Sequence, residues 1–129
     1  MVMTTDQLMK RYYEFRKEIH KLYDHDVYCT GDLYSKILEI RDKERCVESV
    51  NIDLSHYSIN LELSTDTTGS KTLQIINKIS NNIGIYILNN KDLLDPEITN
   101  DAAFETYLTS PMHPFCDTIV IGDSITFNL

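Results

Sequence analysis

The feature that most constrains this chain is a change of hydrophobic period near Arg45. Upstream, Leu8, Tyr12, Phe15, Ile19 and Leu22 recur at alternating four- and three-residue spacing, while Lys10, Arg11, Glu14, Lys17, Glu18 and Lys21 fall on the opposite side. That is the pattern of an amphipathic helix. Downstream, Val50, Ile52 and Leu54 alternate with Ser49, Asn51 and Asp53; Tyr57, Ile59, Leu61 and Leu63 then alternate with Ser58, Asn60 and Glu62. Alternation puts one face of a strand on a core and the other in water. A chain that passes from helical to alternating period, with no strict βα repetition, is α+β rather than doubly wound.

The remaining segments complete the pattern. Thr4 and Gln7 make a capping box for the first helix, and Thr30 is expected to cap a second one that buries Leu33, Ile37, Leu38 and Ile40. Ser55-His56 joins the first two strands, and 65–69 is a loop. Leu73, Ile76 and Ile79 predict a helix over 70–82, with Asn81, Asn82 and Gly84 as its exit. The β-branched and aromatic run 85–88 reads as a buried strand, 89–96 as a turn, and 101–109 as a short helix stopped by Pro111. Residues 118–121 and 125–129 flank Gly122-Asp123, a two-residue hairpin turn. The expected order is therefore α-α-β-β-α-β-α-β-β. It forms a single two-layer domain over 1–129, helical in 1–44 and sheet-forming in 45–129 with two short helices, in which an antiparallel or mixed sheet carries helices on one face. The sequence leaves open whether the 117–129 hairpin ends the sheet as an exposed edge.

Charge narrows the function. Twelve Lys and Arg against twenty Asp and Glu give a net −8. Residues 50–129 contain only Lys71, Lys78 and Lys91 against ten acids, and no linker or repeat divides the chain. Such a field repels nucleic-acid phosphate and anionic membrane and attracts basic protein surfaces. The one basic concentration, Lys10, Arg11, Arg16, Lys17 and Lys21 with Tyr12, Tyr13 and Tyr23 interleaved, is diluted by Glu14, Glu18 and Asp24, so RNA is disfavoured. The longest apolar runs, 83–88 and 119–121, fall far short of the roughly 18 residues of a membrane span. The N-terminal residues lack the features of a signal peptide. Three cysteines without a CxxC unit read as reduced thiols, and the expected location is cytoplasmic.

Several motifs carry candidate chemistry. Residues 118–126, Thr-Ile-Val-Ile-Gly-Asp-Ser-Ile-Thr, resemble the nucleophile block of the SGNH, or GDSL-type, esterases, which implies Ser124 as nucleophile. The family's other blocks lie downstream of that serine, whereas five residues follow Ser124, and a Gly-Asp hairpin accounts for the same letters. His25-x3-Cys29 and His113-x2-Cys116 are two close-spaced pairs of the kind that hold zinc. Cys116 with His113 and Asp117 supplies nucleophile, base and orienting group for cysteine catalysis. Surface histidines beside small buried thiols explain both sets more simply. Four dispersed glycines make no phosphate loop, no D-x-D-x-D-G calcium loop is present, and no cofactor is expected.

The reading that results is a small acidic protein without a catalytic site of its own, acting by binding another protein with a basic surface. An inhibitor, an immunity or antitoxin factor, a chaperone or a phage-type host-modulating protein fits this description. Asp92, Asp95, Glu97, Asp101 and Glu105 form the expected acidic contact edge, with only Lys91 nearby. Tyr13 and Tyr23 on the first helix form a second contact surface, suited to self-association. The alternatives are a small enzyme built around His113 and Cys116, or a protein stabilised by zinc at His25, Cys29, His113 and Cys116.

Overall fold

The computed structural model describes residues 4–26, 31–109 and 116–129. Its elements are α1 (Thr5–His25), α2 (Asp32–Lys43), β1 (Val47–Asp53), β2 (Ser58–Leu63), α3 (Gly69–Asn89), α4 (Pro96–Thr99), α5 (Ala102–Thr109), β3 (Asp117–Ile121) and β4 (Ser124–Asn128), with single 3-10 turns at Leu54–His56 and Lys91–Leu93. The strands form one antiparallel sheet in the order β1-β2-β4-β3, and the helices pack on it. The α+β class and the one-sided helical cover match the sequence reading.

Local chemistry fixes the helix ends. Thr4 and Gln7 form the reciprocal capping box at α1. The second helix is capped differently: the buried carboxylate of Asp26 accepts the backbone N–H of Leu33 at 3.0 Å and of Tyr34 at 3.3 Å. Gly31, at φ +67°, makes the left-handed entry to α2 that a side-chain-free residue allows without strain. Thr30, the expected cap, lies outside the described residues. Tyr57 is left-handed without being glycine, at φ 54°. Its ring stacks on His20 at 3.8 Å, and its hydroxyl donates to Asp24, so contacts to α1 hold the β1–β2 connection in that conformation.

The core follows the expected stripes. Phe15, Ile19 and Leu22 of α1, Leu33, Ile37 and Ile40 of α2, and Ile59, Leu61, Leu63, Ile125 and Phe127 of the sheet are buried together. Phe15 meets Phe104 and Tyr107 of α5 edge-on, at 5.5 Å in each case. Each such side chain contributes about 1.5–3 kcal/mol when fully buried.

Three expectations are corrected. Residues 85–88 are not a strand, because α3 runs unbroken from Gly69 to Asn89, past the supposed exit at Asn81, Asn82 and Gly84. Ile83, Tyr86 and Ile87 are buried while Ile85 and Leu88 are exposed, which is a helical stripe continuing from Ile75, Ile76 and Ile79. Continuity of that stripe outweighs the β propensity of a short β-branched run. Leu73, assigned to the buried side of this helix, is exposed, since the stripe lies two residues further on. Tyr23 is 0% exposed and so offers no contact surface; it sits next to Leu22 on the flank that turns toward α3 and α5.

Glu44, at the end of α2, ties the helical layer together. Its side chain is 9% exposed and receives Lys71 at 2.7 Å and Lys78, both from α3. These two partners, Lys71 first, hold its carboxyl below the ordinary glutamate value of 4.5. A carboxyl lowered in the folded state stabilises folding above its unfolded value, and the gain disappears as pH falls through the lowered folded value. Glu44→Gln is therefore expected to cost about 1 kcal/mol near neutrality, a figure held down by the exposure of both lysines. Denaturant titrations should show the difference from wild type shrinking below pH 4.5. A cost unchanged across the acid range would refute this role for the charge.

Candidate functional site

The sequence candidates scatter when placed on the fold. Cys116 is buried, and burial pushes its thiol up to about 11, against the weaker opposing effects of the Thr118 hydroxyl and Arg16. Asp117 turns outward and pairs with Arg16 at 3.1 Å rather than orienting a base. His113 lies outside the described residues, as does Cys29 of the first metal pair. Among the described residues, no three His, Cys, Asp or Glu side chains converge as metal ligands.

Ser124 occupies no nucleophile turn either. It opens β4, accepts Asn60 Nδ2 at 3.0 Å and donates to Glu62 Oε1 at 2.9 Å, both on β2. The Gly122-Asp123 turn is the expected hairpin, with positive φ at Gly122.

Another serine, histidine and aspartate do meet, at the 3-10 turn between β1 and β2. Ser55 Oγ donates to Asp53 Oδ1 at 2.6 Å, and His56 Nδ1 to Asp53 Oδ2 at 2.7 Å. These bonds, that from Ser55 first, lower the Asp53 pKa. Ser55 Oγ also lies 3.3 Å from His56 Nδ1, but the hydroxyl proton and Nδ1 both go to the carboxylate, so the imidazole takes no proton from the serine, and the group lies open to water. It closes a turn; it does not activate a nucleophile.

The acidic edge is partly spent on structure. Asp101 pairs with Arg11 of α1 and accepts Ala103 N–H at the start of α5. Asp95 caps α4 through Glu97 N–H, while its own N–H donates to Glu18. Asp92, Glu97 and Glu105 stay exposed. On α1, Tyr13 is exposed beneath the Lys17 ammonium, 5.0 Å from its ring centre.

A coherent surface that no sequence motif marks is the outer face of the sheet. Register places Ser49, Glu62, Ser124 and Ile121 in one outward row of the sheet, Asn51, Asn60, Thr126 and Ile119 in the next, and Asp53, Ser58, Asn128 and Asp117 in a third. None of the twelve is buried. Asn60 Nδ2 donates to both Ser124 Oγ and Thr126 Oγ1, which locks the centre of the face. No Lys or Arg occurs in 47–63 or 117–128, whereas Glu48, Asp53, Glu62, Asp117 and Asp123 all do. Glu48 is the extra residue of a bulge in β1. At the β3 margin of this face Ile119 and Ile121 are 45% and 74% exposed, and Val120, on the opposite face of the same edge strand, is 48% exposed. The signal for this face was present in the alternating polar residues 49–62 combined with the absence of cations there.

Searches against protein-family models, curated proteins and solved structures find no match to this chain.

The state of Cys116 has a direct consequence. At pH 8 only about one thiol in a thousand is ionised at a pKa near 11, and burial blocks access as well. Iodoacetamide followed by peptide mass mapping should modify the half-buried Cys46 well before Cys116. Cys116 should react at least about 100-fold faster once the chain is denatured. Preferential labelling of Cys116 in the folded protein would contradict this.

Proposed function

We propose that the chain acts by binding another protein, and that the outer face of its sheet is the contact surface. The observation that carries this reading is a four-stranded face that no helix covers among the described residues, with acids but no Lys or Arg in its strands and two exposed apolar residues, Ile119 and Ile121, at its β3 margin. Hydrophobic groups rimmed by charge of one sign suit a partner of complementary composition, basic around an apolar patch. Asp53 and Asp117 share a row but are separated by three inter-strand spacings, about 14 Å. That exceeds the Debye length of about 8 Å at physiological salt. The acids therefore repel each other weakly; Asp117 already pairs with Arg16 of α1, so Asp53 and Glu62 are the acids of the face that meet cations on the partner. Asp92, Glu97 and Glu105 add to the field that steers a basic protein toward the molecule. An inhibitor or an immunity-type factor is the kind of protein that works through such a contact.

The test is affinity capture from the source cell at two salt concentrations, with two double variants beside the wild type. Wild type is expected to hold a stoichiometric partner at low salt and to lose much of it as salt rises. Glu62→Lys with Ile121→Lys should weaken capture at least about tenfold, while Asp92→Lys with Glu97→Lys should weaken it only a few-fold. A partner retained by the sheet-face variant, or no partner at either salt, would overturn the reading.

A further inference from the structure

The backbone at the β3 margin adds a specific mode of recognition. In the β2–β4 ladder, Leu63 N–H donates to Asp123 O and Leu129 N–H to Tyr57 O, both at 2.8 Å. The odd-numbered residues of β4 therefore face β2 and the even-numbered ones face β3. Ser124, Thr126 and Asn128 are opposite Ile121, Ile119 and Asp117, so these three β3 residues spend their backbone groups on β4. The N–H and C=O of Thr118 and Val120 consequently point away from the sheet, where no strand follows among the described residues.

Edges of this kind are usually blunted by a lysine, a proline, a bulge or a covering element. The other edge is blunted: β1 carries the Glu48 bulge, and α2 packs against it. β3 has neither Lys nor Pro, its pairing with β4 is regular, and Ile119, Val120 and Ile121 are all exposed. Its charge is concentrated at the ends, at Asp117 and at Asp123 of the turn.

We infer that β3 is an acceptor edge for an extended segment of a basic partner, which adds to the sheet as a fifth strand through the backbone of Thr118 and Val120. This rests on the protein-binding reading above and specifies its chemistry. The acid at the turn end, Asp123, with Glu62 two strands in, selects a basic occupant. A segment with β-branched side chains opposite Ile119, Val120 and Ile121, and a Lys or Arg beside Asp123 at the turn end, satisfies backbone, apolar and charged groups together, while Asp117 at the other end keeps its pairing with Arg16. A second copy of this chain brings further acids to the same end and so fits less well.

The probe is a capped peptide of Val and Ile flanked by Arg at both ends, together with the same peptide N-methylated at the amides that would pair with β3. Binding by fluorescence anisotropy should weaken about tenfold on N-methylation, the loss expected for two backbone hydrogen bonds. Binding of the unmodified peptide should slow hydrogen exchange at the Thr118 and Val120 amides. Val120→Pro should abolish that binding without disturbing the β3–β4 ladder, since the amide it removes does not face β4. Should this variant fail to fold, the peptide pair still decides the question on the wild-type chain. Equal affinity of the two peptides, if sensitive to Glu62→Lys, would overturn strand addition and leave the acidic-face reading standing. No binding of either would overturn strand addition as well. Concentration-dependent protection of Thr118 and Val120 in the protein alone would assign the edge to a second copy and overturn the basic occupant.

Discussion

The structure depends on burying one face of a four-stranded sheet and leaving the other to water. Ile59, Leu61 and Leu63 of β2 and Ile125 and Phe127 of β4 supply the buried face, and with the helices they make the only large core among the described residues. Because side chains alternate along a strand, this assignment also dictates the other face: every residue between those apolar positions must point outward. A slip of one residue would bury Asn60, Glu62 and Thr126, whose polar groups would then need new partners. Register, hairpin turn and polar face are thus consequences of a single requirement.

That requirement also explains how the charge is distributed. Several basic residues of α1 and α3 are engaged by acids: Arg11 with Asp101, and Lys71 and Lys78 with Glu44, within the helical layer, and Arg16 with Asp117 of β3. Arg16 and His20 further anchor the end of β4 by donating to Asn128 O and Leu129 O. The sheet contributes no cation of its own. A net charge of −8 is therefore felt unevenly, with an all-acid sheet face opposite a helical side that is close to balanced. Such polarity costs the fold little, because the strand acids are widely spaced, and it orients an approaching basic surface.

Much of this was legible in the sequence, for physical reasons that differ by element. The first helix declared itself because its stripe spans many turns and its capping box is local. The β1–β2 and β3–β4 pairs were readable because alternation and a Gly-Asp turn are short-range signals. Residues 85–88 misled because Ile85, Tyr86 and Ile87 followed by a leucine look alike as a strand or as the end of a helix; only the spacing of Ile83, Tyr86 and Ile87 relative to Ile75 and Ile79 resolves them. Tyr23 misled because it lies next to the expected stripe, yet it is fully buried in the core. The sheet face was not legible as a site. Its residues are drawn from both halves of the chain, and only the strand order β1-β2-β4-β3 assembles them.

The most direct test of the central claim, that recognition uses the uncovered sheet face, is hydroxyl-radical footprinting of the chain alone and in its captured complex. The account predicts that Ile119 and Ile121 lose most of their reactivity in the complex, while Met9, Tyr13 and Leu73, exposed on the helices, keep theirs. Protection confined to Met9 and Tyr13, with the β3 residues unchanged, would contradict it and move the contact to the first helix.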